Sequence, residues 1–408
     1  MSRILFIIIS LAMFLPIHGK DETNDKVFNR KALLSEIKAD LKAQKYSQAD
    51  DKIKKAVAEY SEAKQDAEII NIHMNVAHHL SEAENRKIFL NSKPDTAAYL
   101  NQIYRVYELG LLCDSLDSLP NRKGKIRPRY TENIKERLTF YRKNLISAGK
   151  YFYKKQKYHD ALRFIQMYIN TRDFHLIQDT LTSYQDIYPL AVFSSYGAEN
   201  YDAVKTYLPR CESDSLHRSL LCQIGSKTYM ATNDTLTALR YLNDGWECDP
   251  TKDYFYLTLV HYYIDHIQYG KALSIINKQL LREPESQELW YIKGKSLQCL
   301  DSLDEAIGAY QQVVSLNPKH MQALSSMGET YVTQAHNLYK STTAKVGSKD
   351  YIQSRKRQNA LYNKACEVLE QVRNSAPDDQ TLWFTNLREV YYRLNKGKEL
   401  KELEKIKK

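Results

Sequence analysis

The segment ELWYIKGKSLQCLDSLDEAIGAYQQVVSLNP, residues 288–318, spaces Trp290, Gly294, Ala306, Tyr310 and Pro318 in a way that needs explaining. Two more prolines supply the rule, because Pro250, Pro284 and Pro318 recur every 34 residues. A fixed period of that length marks stacked repeats, each a supersecondary unit that buries its apolar face only against its neighbours.

Setting Pro318 at position 32 of a unit puts Trp290 at 4, Gly294 at 8, Ala306 at 20, Tyr310 at 24 and Val313 at 27. Small residues at 8 and 20 allow two antiparallel helices to approach to about 8–9 Å. Trp290 and Tyr310 are expected to fill the space between adjacent hairpins, and proline ends the second helix by removing a backbone donor and restricting the residue before it. Val313 is larger than the small residue expected at 27 and predicts a slightly looser contact with the next unit. The frame also fits Tyr256, Val260, Ala272, Ile276 and Pro284, and before them Cys222, Gly225, Ala238, Leu242, Gly245 and Pro250. Gly149, Phe152, Ala161 and Ile165 match further upstream, as do Ala191, Ala203 and Tyr207, with about eight extra residues between Ala161 and Ala203.

This pattern resembles the tetratricopeptide repeat. The resemblance implies an all-α fold, a right-handed α-solenoid of stacked antiparallel helical hairpins. It covers residues 136–395 well, with a 25-residue basic insertion at 340–364 that lengthens both helices of its hairpin and holds seven Lys or Arg against Asp350 alone. Residues 20–135 read as divergent helical hairpins continuing the array, a separate small helical domain being the alternative. Residues 396–408 read as a charged capping helix, with Leu400, Leu403 and Ile406 on one side.

The first 19 residues have the layout of a secretory signal peptide: Arg3, an apolar run from Ile4 to Ile17 interrupted by Ser10 and Pro16, then Gly19 before charge. A run that short falls below the roughly 20 residues of a spanning helix, so the expectation is an exported protein, periplasmic or extracellular, without a transmembrane segment after processing. Six cysteines then sit where disulfides form. Cys211 and Cys222 are the sequence neighbours for a bridge, set against six small buried core thiols.

The net charge of +10 is spread among acidic residues, which argues against a nucleic-acid footprint, and no nucleic-acid partner is expected. Gly294, Lys295 and Ser296 spell the end of a phosphate loop, but Leu289 occupies the place of its first glycine and the motif lies inside a helix. His73, His78 and His79 miss the spacing of four that puts two ligands on one helical face, as do His261 and His266. Asp301 and Asp304 fall in an inter-helix turn, where capping accounts for them better than acid–base chemistry. No catalytic residue, cofactor or metal is expected.

In proteins similar to this one the first (A) helices line a groove, and their positions 2, 5 and 9 reach a bound peptide or protein segment. Here those positions are Tyr254, Leu257, His261, Glu288, Tyr291, Lys295, Gln322, Ser325, Glu329, Thr381, Phe384 and Arg388. Aromatic anchors among isolated charges suit segment recognition. The reading is a non-enzymatic protein-interaction scaffold or adaptor of the bacterial cell envelope. The alternative is an accessory subunit of an envelope enzyme or transport complex, with a site in the N-terminal region.

Overall fold

In a computed structural model, residues 28–121, 123–177 and 187–406 are described. The signal-peptide reading of residues 1–19 and part of the extra sequence after Ala161 lie outside them. The described residues form helices and turns with no strand, and they divide into two compact units, one ending at Ala198 and the other beginning at Glu199.

In the first unit the helices are α1 (Arg30–Lys42), α2 (Tyr46–Glu59), the single turn α3 (Ser61–Lys64), α4 (Ala67–Phe89), α5 (Thr96–Asp117), α6 (Thr131–Lys154), α7 (Tyr158–Asn170) and α8 (Ile187–Gly197). From α4 onward each packs on the next in chain order. Ala49, Ile53 and Ala56 fall on one face of α2, since helical residues three and four apart share a side, and all three are buried against Leu34 and Ile37 of α1. The connection after α5 is closed by Asp117, whose carboxylate accepts from the backbone N–H groups of Arg129 and Tyr130.

The second unit runs through α9 (Tyr201–Tyr207), a short 3-10 turn (Leu208–Cys211), then α10 (Arg218–Ala231), α11 (Thr235–Cys248), α12 (Asp253–Asp265), α13 (Tyr269–Leu280), α14 (Gln287–Cys299), α15 (Leu303–Leu316), α16 (Met321–Ser341), α17 (Lys349–Ser375), a second 3-10 turn (Gln380–Leu382), α18 (Phe384–Arg393) and α19 (Gly397–Lys405). The 34-residue period is visible in its backbone. Asn233, Ile267 and Asp301, each between the two helices of a hairpin, have φ of +59°, +59° and +58°. A left-handed residue there reverses the chain between antiparallel helices.

Small residues stand where the frame requires close approach. A Cβ on Gly294 would lie 2.4 Å from Cε1 of Tyr310, so position 8 meets position 24 of its own hairpin. Gly328 against Leu369 and, in the first unit, Gly149 against Ile165 repeat that contact. Position 27 faces the next A helix instead: a Cβ on Gly245 would lie 2.2 Å from the ring of Phe255. At the corresponding place Val313 is followed by Ala323 rather than an aromatic residue, and both are fully buried in one core cluster. Bulk has moved from one side of the contact to the other, which answers the looser packing expected at Val313.

Trp290 departs from its expected role. It is half-buried at the edge of the core, its indole N–H donating to the Pro284 carbonyl at 2.8 Å and Lys293 lying over its ring at 4.7 Å. Interior space is filled instead by Tyr310 and, in the last hairpin, by Trp383, Leu387 and Tyr391. The hairpin carrying the basic insertion has helices of 21 and 27 residues, against 13 and 14 in the hairpin before it. In α19, Leu403 is fully buried and Leu400 packs on the same core, while Ile406 is largely exposed. No helix among the described residues is long and apolar enough to cross a membrane.

Candidate partner-binding face

Positions 2, 5 and 9 recur on one side of each A helix because residues three and four apart share a face. The second unit brings these sides together. Lys295 of α14 lies 4.0 Å from Glu329 of α16, and the Tyr291 ring lies 5.3 Å from that of His320, the N-cap of α16. The Ser325 hydroxyl donates to the Leu382 carbonyl, tying α16 to the turn before α18.

The twelve positions differ in what they can offer a ligand. His261, Glu288, Gln322, Thr381 and Arg388 are exposed, whereas Tyr254, Leu257, Tyr291, Lys295, Ser325 and Glu329 are half-buried. Phe384 does not belong to the accessible set. It is 8% exposed in the C-terminal core because the 3-10 turn delays the start of α18 and rotates this ring inward beside Trp383. Thr381 consequently lies in that turn, its hydroxyl donating to Asp379.

The face continues onto α10, one unit earlier than the residues singled out above. Lys227, at position 9 of its unit, lies 5.3 Å over the ring of Tyr254, and the Tyr254 hydroxyl is 3.0 Å from that of Ser226. Gln223, at position 5, accepts from Lys252 at 2.8 Å. The same frame, carried one unit upstream, identifies both. The resulting strip alternates half-buried rings with lysine and glutamate held near each other. Such rings offer flat apolar contact at low entropic cost, and the exposed charge pairs contribute direction more than energy.

Other residues considered for chemistry have structural partners. The three histidines of α4 point to three different groups: His73 Nε2 is 3.0 Å from Asp50, His78 Nδ1 is 2.8 Å from the Tyr141 hydroxyl, and His79 stacks on Tyr46 at 4.5 Å. Burial drives the Asp50 carboxyl upward, but hydrogen bonds from His73, Arg105 and Lys54 outweigh it and hold the group well below the usual carboxylate range. Burial lowers His78 to about 4, with Arg137 adding to the effect. Asp301 and Asp304 are not caps; they accept from Asn337 at 3.1 Å and Gln334 at 2.7 Å, fastening the preceding hairpin to α16. All six cysteines are free thiols; Cys211 faces the carbonyl of Tyr207 at 3.6 Å instead of joining Cys222.

No family model matches the chain, and no curated protein does. Among solved structures the chain is similar to the MamA protein, at 18% identity over 46% of this chain and 89% of that one, with a TM-score of 0.37. It is also similar to the C-terminal part of a TPR repeat-containing protein from Cytophaga hutchinsonii, at 12% identity over 61% and 93% with a TM-score of 0.36. The TPR2AB domain of yeast Sti1, solved in complex with pHSP90, aligns at 12% identity over 62% and 98% with a TM-score of 0.26. The 34-residue backbone period and the glycine-to-aromatic contacts within hairpins make the unit from Glu199 onward an all-α array of repeated helical hairpins.

Proposed function

We propose that this chain is an exported, non-enzymatic scaffold of the bacterial cell envelope that holds an extended or helical protein segment along the A-helix face of its second unit. The observation that carries the reading is the row of half-buried aromatic rings, Tyr254 and Tyr291, flanked by Lys227, Lys295 and Glu329 on consecutive A helices. The layout of residues 1–19 supports export, with processing after Gly19.

Two measurements test it. The secreted or periplasmic fraction of the producing cell should contain a chain whose N-terminus is Lys20; an unprocessed cytoplasmic chain rejects export. Crosslinking in envelope extract should join partners to the parent protein, and a Tyr254→Ala, Tyr291→Ala, Lys295→Glu variant with unchanged helix content should lose them. Equal recovery of every crosslinked partner rejects the face.

A further inference from the structure

The hairpin of α16 and α17 stands out beyond its neighbours at the end that carries its connecting loop. The preceding hairpin turns at Asp301, which accepts from Asn337 at 3.1 Å and lines a cavity with Arg357. The following hairpin turns at Asn395, and the next residue, Lys396, has its ammonium 3.2 Å from the Cys366 thiol. Residues 338–356 therefore extend past both turns, and on α17 alone the stretch from Lys349 to Arg357 rises about 12 Å. The projecting end is braced from inside. The Thr342 hydroxyl is 2.6 Å from that of Ser354, which accepts from the buried Gln358 at 3.3 Å, and Gln358 in turn accepts from Arg355 at 3.0 Å. Its outer surface combines cations with apolar side chains. Lys340, Lys345, Lys349 and Lys356 are exposed, and Asp350 supplies the acidic charge of residues 338–356. Set among these lysines, Tyr339 is 57% exposed, Val346 78% and Ile352 49%. Lys349, Ile352 and Lys356 share one face of α17, being three and four residues apart. Val346 sits in the loop beside Gly347, whose φ of +84° turns the chain there.

We propose that this projecting end docks on an anionic lipid surface, with Val346 and Ile352 entering the boundary between headgroups and acyl chains while the four lysines meet lipid phosphates. Charge complementarity selects an anionic partner. The apolar residues select lipid within that class: a nucleic-acid backbone would pair with the lysines and leave Val346 and Ile352 in water, whereas a bilayer interface receives apolar tips and ammonium groups at adjoining depths, the long lysine stems spanning the difference. The internal bracing holds the loop and the first turns of α17 in place, so little ordering has to accompany contact. None of the residues proposed above for holding a protein segment takes part, so a membrane contact here leaves that face open.

The test is co-sedimentation with vesicles at low salt, using the chain from Lys20 onward, which keeps every described residue and lacks the apolar run Ile4–Ile17 that would itself seek lipid. Vesicles of phosphatidylglycerol mixed with phosphatidylcholine should bind it, pure phosphatidylcholine far less, and added salt should weaken the binding. Each cation near an anionic surface contributes about fivefold to partitioning, so Lys345→Gln, Lys349→Gln, Lys356→Gln together should lower it by about 100-fold with helix content unchanged. Val346→Ser with Ile352→Ser keeps every charge and should lower it about tenfold. No sedimentation with anionic vesicles, equal binding to the two vesicle types, or a triple variant that binds as the parent does would each overturn the lipid assignment. Capture on duplex DNA that depends on the same lysines, without vesicle binding, would reassign the surface to nucleic acid. Loss with the lysine variant but none with the serine variant would overturn the insertion of Val346 and Ile352.

Discussion

Gly294 and Gly308 occupy neighbouring helices of one hairpin, yet alanine at the two positions should act with opposite sign. At Gly294 the new methyl would stand 2.4, 2.7 and 2.9 Å from Cε1, Cδ1 and Cζ of Tyr310. That ring has nowhere to retreat, being fully buried with its hydroxyl donating to Gln298 at 2.9 Å. Forcing the helices apart should cost about 2–3 kcal/mol in overpacking, against a gain of about 1 kcal/mol for replacing glycine with alanine inside a helix, for a net loss of about 1–2 kcal/mol. A Cβ on Gly308 meets nothing within 4 Å, so Gly308→Ala should gain about 0.5–1 kcal/mol. Urea denaturation of the full chain, with amide hydrogen exchange resolved to α14 and α15, reads both. Removing the obstruction should rescue the first variant, so Gly294→Ala should cost less in a Tyr310→Leu background than alone. Equal stabilisation by both alanines, or no dependence on Tyr310, would refute the claim that position 8 is small because position 24 of the same hairpin is large.

Three further outcomes are expected. Ile267 holds φ at +59° with its side chain 76% exposed, so Ile267→Asn should raise the unfolding midpoint by relieving about 1 kcal/mol of left-handed backbone strain without losing buried area; an unchanged or lower midpoint counts against this turn geometry. Gln279 is fully buried, accepting from the Trp246 indole at 2.9 Å and donating to the Pro250 carbonyl at 3.0 Å, so Gln279→Leu should cost about 2–3 kcal/mol by orphaning both groups, and a neutral result in urea titration would show that they find other partners. His78 is lowered from 6.5 to about 4 by burial, so the unfolded chain binds the extra proton first: stability is complete above pH 6.5 and falls as pH drops towards 4. Discounted for partial exposure, that loss is on the order of 1–2 kcal/mol, and His78→Asn should flatten this limb of a pH series, which an identical slope in parent and variant would contradict.

The fold could be read from the sequence wherever a local rule repeats. Proline every 34 residues ends each second helix, the glycines Gly149, Gly294 and Gly328 each meet a large residue on the other helix of their hairpin, and the left-handed turn residues at 233, 267 and 301 repeat the period in the backbone. Legibility failed where a residue's role depends on a partner elsewhere in the chain. Phe384 fits the recognition position by counting, but counting assumes that α18 begins on schedule; the 3-10 turn at Gln380–Leu382 shifts the helix start and sends the ring into the core. Asp301 looked like a cap because caps are local, whereas its acceptor role is set by Asn337, 36 residues on. For the proposed partner-binding face the consequence is specific: a periodic rule finds positions on one side of each A helix, Gln223 and Lys227 among them, but only three-dimensional packing tells which rings on that side are exposed, as the burial of Phe384 shows.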